Sequence, residues 1–277
     1  MFHALRRQPF VPTLNPGSVP VVHGLGRRFV AAGIHLGCCA VIAITLVVVI
    51  TQFWYPAPLF DLAKGRDIFL ILIACDITLG PLLTLIIFNV RKPRRELVRD
   101  VAIIASVQIA AMIYGVSTLF SARPVFIVYN VGQFNVSLAN EITNGDSSTT
   151  EGPFSASSLP WFGPKLVGAR LPTDADENNR LIFSSVSGRG DVFQIPRYFV
   201  TYDEVKSDVA ARSRSVADIS KKLHIDASRI HQATSSYEKR GVAFGLLPLV
   251  IRTTTALAVV DSKSGELLGI EAIPSDL

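Results

Sequence analysis

Three stretches of this chain leave a folding polypeptide few options. Phe29–Gln52 runs 24 residues without a formal charge, Ile68–Val90 runs 23 residues with Asp76 as the single charge, and Val101–Phe120 runs 20 residues with none. A bilayer core about 30 Å thick is crossed by roughly 20 apolar helical residues. A core helix of a soluble protein keeps a polar face toward water, and these runs have no such face. The reading is three membrane-spanning helices at about 29–52, 68–90 and 101–120. Composition agrees: charged residues make up 18% of the chain, against about 25% in an average soluble domain.

The net charge of +5 is unevenly spread. Arg6, Arg7, Arg27 and Arg28 lie in the first 28 residues, which hold no acid. Arg91, Lys92, Arg94, Arg95 and Arg99 crowd residues 91–100 against Glu96 and Asp100. After residue 120 the chain is nearly neutral, with sixteen basic and seventeen acidic residues. Each basic segment borders an apolar run. This pattern marks the cytoplasmic side of a membrane and not a nucleic-acid surface. The N-terminal tail and the 91–100 loop are therefore assigned to the cytoplasm. The 53–67 loop and everything after residue 120 go to the far side, the periplasm in a bacterium. The first span is too long for a cleaved signal and lacks a small-residue cleavage site. Trp54 and Tyr55 are expected as aromatic anchors at the outer interface, and Arg91, Lys92, Arg94 and Arg95 as basic anchors at the inner one.

Residues 1–28 contain four prolines and no hydrophobic period and read as a flexible cytoplasmic tail. Residues 121–277 read as an α+β domain. Val125–Tyr129 and Phe134–Leu138 form a hairpin signal, and residues 143–158 form a loop. Leu181–Val186 reads as a strand, Asp203–Leu223 as one helix, and Asp226–Arg240 as a second helix capped by Asp226 or Ser228. Leu246–Ile251, Ala256–Val260 and Leu267–Ile273 complete the strands, with a tight turn at Asp261–Gly265. Cys38, Cys39 and Cys75 all fall within the spans, so the exported domain has no disulfide. The fold class is thus a membrane protein: a three-helix transmembrane bundle followed by a C-terminal α+β periplasmic domain.

Asp76 is the sharpest chemical feature. A carboxylate at membrane depth costs at least about 2.5–3.5 kcal/mol and needs a polar partner or a function. Depth along the helices puts Thr45 and Tyr114 at its level, with His35 and Gln108 in a second polar layer. The functional reading is a docking site for a polar group on another membrane helix. The alternative is an internal hydrogen bond that fixes packing. Gly80-Pro81 follows one turn later and would kink the helix, because proline leaves the Ile77 carbonyl without its helical donor. His224 and His231, seven apart, could share a helix face, but they make a weak metal set. No nucleophile elbow, metalloprotease motif or phosphate loop is present, so no metal, cofactor or catalytic group is assigned.

Read together, several motifs are familiar. Trp54-Tyr55-Pro56-Ala57-Pro58-Leu59 closes the first span, and Asp76-Ile-Thr-Leu-Gly80-Pro81-Leu-Leu-Thr84 lies in the second, ending in Phe88-Asn89. Arg99-Asp100 opens the third span, which carries Gln108 and Tyr114-Gly115 and leads to Arg123-Pro124-Val125. In this order they resemble the TfpX/TfpZ family of type IV pilin accessory proteins, which includes the FimB proteins of some plant pathogens. The resemblance is dense through residue 125 and looser beyond it. It implies a non-enzymatic inner-membrane protein that assists production or surface assembly of the major type IV pilin. Other pilus-assembly membrane proteins and the lipid bilayer are further partners, and nucleic acid is not one. Spans two and three would cradle the pilin helix while residues 121–277 contact its head. Two other classes stay open: a sensor with a ligand pocket in residues 160–260, and a membrane enzyme that modifies pilin.

Overall fold

A computed structural model describes residues 22–87, 93–144, 154–155 and 157–274. The first element is α1 (Val22–Val49), which passes into a π-helical turn, Ile50–Trp54. A short α2 (Leu59–Leu62) follows, then α3 (Gly65–Ile87) and α4 (Arg94–Ser121). Three helical stretches, Gly26–Trp54, Gly65–Ile87 and Arg94–Ser121, are long and apolar enough to cross a membrane. Most of their apolar side chains face outward, Phe29, Ile34, Ile44, Ile71, Ile86, Ile103 and Ile113 among them. Helices apolar on every side suit a lipid surround.

The boundaries differ from the sequence reading. α1 starts at Val22, inside the expected 1–28 tail, and residues 1–21 lie outside the described residues. α3 starts three residues before Ile68. Most of the expected 91–100 loop is helix. Pro93 sits at the N-cap of α4, where a missing N–H is harmless, and Arg94, Arg95 and Arg99 lie on its first turns. Arg91, Lys92, Phe88 and Asn89 lie outside the described residues.

The second half is a seven-stranded mixed sheet. Its strands are β1 (Pro124–Asn130), β2 (Gln133–Leu138), β3 (Lys165–Ala169), β4 (Phe199–Thr201), β5 (Phe244–Ile251), β6 (Thr254–Asp261) and β7 (Leu267–Glu271), in the order β4-β3-β1-β2-β5-β6-β7. β1 pairs parallel with β3 and β2 parallel with β5; the other pairs are antiparallel. The β1–β2 turn places Val131 and Gly132 at φ +43° and +80°. Two successive left-handed residues match the twist of a tight hairpin, at a steric cost on the β-branched Val131.

Both sheet faces are covered, which accounts for the unbroken hydrophobic run of β5. One face packs Ile127, Tyr129, Phe134, Val136, Leu247 and Leu249 against Val205 and Val209. Val209 belongs to α6 (Lys206–Arg212). The other face packs Val125, Phe126 and Val128 beneath Leu181 of α5 (Ala175–Val186). Further along it, Leu246, Leu257 and Val259 meet Ile219 of α7 (Val216–Leu223) and Ile230 of α8 (Ala227–Lys239).

Three local expectations are corrected. Leu181–Val186 is helical. Asp174 caps α5 by accepting from the Glu177 N–H at 2.8 Å, and Asp176 and Glu177 favour the helix N-terminus. Asp203–Leu223 is not one helix. Arg214 exchanges both backbone hydrogen bonds with Leu246, at 2.9 and 2.8 Å, and Ser215 caps a new helix by accepting from the Asp218 N–H. His224 and His231 do not share a helix: His224 ends α7 in a left-handed conformation, and His231 lies on α8 beside Glu238, 2.8 Å away. Asp226 does cap α8, accepting from the Ser228 N–H at 2.8 Å. β3 and the three-residue β4 had no separate signal in the sequence.

Candidate functional site

α1 and α3 lie side by side, as do α3 and α4, so three faces converge. On α1 the positions that line the cavity between these helices include His35, Cys38, Cys39, Ile42 and Leu46, at three- and four-residue steps. α3 contributes Leu72, Ile73 and Asp76, and α4 contributes Ala105, Gln108, Ile109 and Met112. Between them lies a cavity of about 180 Å³ whose lining is mostly apolar, with His35, Asp76 and Gln108 as its polar points. Two polar contacts set its frame. His35 Nδ1 is 2.6 Å from Thr84 Oγ1, and Gln108 Nε2 donates to the Asp76 carbonyl at 3.4 Å.

Gly80 explains how Gln108 reaches that carbonyl. A Cβ at residue 80 would overlap the Gln108 amide, so glycine there leaves the space in which that amide lies against α3. Pro81 lies inside α3, and the helix continues through it to Ile87. The ring still removes the N–H that would bond the Ile77 carbonyl one turn back.

The expected polar layers are rearranged. Gln108, assigned to the second layer, bonds at the level of Asp76. His35 lines the same cavity, while its hydroxyl partner is Thr84. Thr45 faces outward and donates to the Val41 carbonyl of its own helix at 2.9 Å. Tyr114 is 76% exposed and lies six residues past Gln108 along α4. α3 and α4 start earlier than the apolar runs do, which shifts the levels, and height along a helix does not set which side a residue faces. Thr84 was missed as a partner, although Asp76, Gly80 and Thr84 recur at four-residue steps along one stripe. Among the described residues, His, Cys, Asp and Glu do not gather in threes to hold a metal.

Trp54 and Tyr55, expected at the outer interface, both pack against the end of α4. Tyr55 is 2% exposed and donates to the Leu119 carbonyl near the end of α4 at 2.9 Å. Burial pushes its phenol well above the usual tyrosine range, against the pull of Arg252 and Arg123. Trp54 packs against Phe120 with ring centroids 5.0 Å apart and planes tilted by 60°. Leu59 and Leu62 of α2 insert into the sheet core beside Ile127 and Leu249. Residues 54–62 therefore clasp the bundle to the sheet. Arg94 and Arg95 are exposed at the opposite end of α4.

A family model for the fimbrial assembly protein FimB matches residues 24–64, the stretch that contains α1 from its first turn onward, the π-helical turn and α2. The chain is 28% identical over 205 residues to the fimbrial assembly proteins of Dichelobacter nodosus serogroups E1 and I, covering 72% of this chain and 77% of each relative. It is 32% identical over 114 residues to the fimbrial assembly protein of Dichelobacter nodosus serogroups C1 and C2, which is 40% of this chain and 87% of that relative. No solved structure matches it. The chain belongs to the FimB family of fimbrial assembly proteins, and its role lies in pilus biogenesis.

Proposed function

We propose that the chain is a non-enzymatic assembly factor for a type IV pilin. It sits in the bacterial inner membrane with its N-terminus and the α3–α4 connection in the cytoplasm and its sheet domain in the periplasm. The reading rests on one observation: an apolar cavity between three membrane-length helices, with the Asp76 side chain among its lining. An apolar cavity of about 150 Å³ takes a benzene-sized guest. At about 180 Å³ this one has room for a side chain and not for a helix. A guest helix would lie along its mouth and insert one residue. Asp76 would accept from a donor on that guest, as could the Ile77 carbonyl released by Pro81. The sheet domain, clasped to the bundle through α2, would meet the part of the pilin outside the membrane.

The test is an Asp76→Asn variant, matched for expression with the parent in a piliated strain. Surface pili should fall severalfold, and pilin should be lost from detergent pull-downs. Unchanged piliation with unchanged pilin recovery would overturn the docking site.

A second reading, a periplasmic ligand sensor, is favoured by a polar cleft of about 510 Å³ lined by Arg170, Thr173, Glu177, Arg197 and Tyr198. Both guanidiniums there already hold carboxylates, Arg170 with Glu204 at 3.2 Å and Arg197 with Glu177 at 3.4 Å. An entering anion would have to displace an internal partner. A saturable rise in unfolding temperature of the detergent-solubilised chain with a small dicarboxylate would support this reading, and no rise up to millimolar concentration would count against it.

A further inference from the structure

Trp161 and Phe162 are 68% and 70% exposed, yet the loop that carries them is tied down at both ends. On one side the Arg123 guanidinium donates twice to the Pro160 carbonyl, at 3.1 and 2.9 Å, and lies 3.9 Å over the Phe120 ring. On the other side the Gly163 N–H donates to the Phe53 carbonyl at 2.6 Å. Gly163 takes φ +57°, a conformation that suits glycine. Two large aromatic side chains are thus held out from a fixed backbone. A rigid display of this kind loses little conformational entropy when something covers it.

Their height along the bundle is also fixed. Trp161 packs on Phe120, the penultimate residue of α4, with centroids 5.3 Å apart. Phe162 meets Phe53, in the last turn of the first helix, edge to face at 5.7 Å. Phe53 is itself exposed. The aromatic patch therefore continues the outward apolar surfaces of α1 and α4 at the end where the sheet begins. Residues 154–164 include no charged side chain, and the next residue, Lys165, is exposed.

We propose that the Leu159–Gly163 loop is a lipid anchor: Trp161 and Phe162 enter the interfacial layer of the outer leaflet and hold the sheet domain down on the membrane. Tryptophan suits this layer because its large ring is apolar while its N–H can reach polar headgroups. Lys165 lies close enough in the chain to meet lipid phosphates. The anchor comes from the folded outer domain, about forty residues beyond the last helix, so it fixes the domain's tilt as well as its depth. The proposal rests on α1, α3 and α4 spanning the bilayer.

The chain has two tryptophans, Trp54 and Trp161, so a Trp54→Phe variant leaves Trp161 as the only fluorophore of its kind. The full chain is reconstituted into phosphatidylethanolamine–phosphatidylglycerol vesicles whose acyl chains carry bromine either near the headgroup or deep in the core. Trp161 should be quenched severalfold more by the shallow bromines than by the deep ones, and only weakly by aqueous acrylamide. A Trp54→Phe/Trp161→Phe/Ile113→Trp variant reports on a point about 12 Å along α4 from Ser121 and should show the reverse preference. If the probe at 113 is quenched by deep bromines while Trp161 remains open to acrylamide and untouched by lipid, the anchor is wrong and the patch belongs to a protein partner. If the probe at 113 is also untouched by lipid, the spans themselves are wrong.

Discussion

The bundle and the sheet use the same apolar residues in opposite ways. In β1, β2, β5 and β6 nearly every Val, Ile, Leu and Phe is closed off by layers on both sides. In α1, α3 and α4 most such residues point outward, and few are buried, Ile50 of the adjoining turn, Phe69, Ile104 and Leu119 among them. The sheet carries its own solvent-excluded core, whereas the bundle needs an apolar surround to complete it. What is specific within the bundle is therefore polar or small: His35 on Thr84, Gln108 on the Asp76 carbonyl, and Gly80 beneath Gln108. In lipid, apolar side chains give helices little reason to choose one another, and small residues and hydrogen bonds decide the pairing.

The contrast is broken most strongly in the sheet. Phe134 is fully buried, with its ring 5.3 Å from Tyr129 and 6.3 Å from Tyr202. Phe134→Ala should cost about 3–5 kcal/mol, as aromatic deletions in packed cores do. Ile113→Ala, on the outward face of α4, should stay within about 0.5 kcal/mol in detergent. Denaturant unfolding followed by near-ultraviolet circular dichroism compares them. Equal losses would mean that the bundle surface is packed against protein.

The seam between the regions comes next. Leu59 is 2% exposed and lies in the sheet core although it belongs to the connection between two membrane-length helices. Leu59→Ala should cost about 2–5 kcal/mol and expose residues 55–64 to limited proteolysis. Retained protection would mean that the sheet holds without its clasp. Within the bundle the effect is smaller and depends on position. Gly80→Ala drives a methyl group into the Gln108 amide, the end of a flexible side chain that can swing aside only by giving up its bond to the Asp76 carbonyl, so the cost should be about 0.5–1.5 kcal/mol. Gly33→Ala meets nothing within 4 Å and gains helix propensity, so it should hold or slightly raise the melting temperature in detergent. A similar response at both sites would remove Gly80 as the point of close approach.

Much of the bundle was legible because span length and charge depend only on composition within a window. The side of each helix was not. Thr45 and Tyr114 are as polar as His35 and Gln108, but which side of its helix each one occupies follows from how the helices pack, which the apolar runs do not mark. The α2 clasp was hidden because its leucines look like any others in a short loop, and only the fold shows that they finish the sheet's core. Tyr55 reads as an interface anchor by residue type, yet its hydroxyl has an internal partner in the Leu119 carbonyl. In the sheet domain, the run Leu181-Ile182-Phe183 imitates a strand when read alone. The cap at Asp174, seven residues before it, decides for helix.

The smallest expected effect lies in the β6–β7 turn of the sheet domain. Asp261 Oδ1 accepts from the Lys263 and Ser264 N–H groups at 2.8 and 2.7 Å, and the Asp261 carbonyl accepts from the Gly265 N–H at 2.9 Å. The Ser264 and Lys263 amides hold this carboxyl below its ordinary value. A depressed folded-state pKa means that the fold prefers the ionised form. The stabilisation is complete above the unfolded aspartate value of about 3.9 and is lost as pH falls through the lower folded value. Asp261→Asn keeps an acceptor oxygen but carries no charge, so the parent should unfold at slightly higher temperature near neutrality. The two curves should converge as pH drops below about 4. The carboxylate's hydrogen bonds lie at the surface, and solvent screening keeps the gap small. Thermal unfolding of the two proteins across this range checks it. A gap that widened toward acid would reverse the sign and show that the turn prefers its carboxyl protonated.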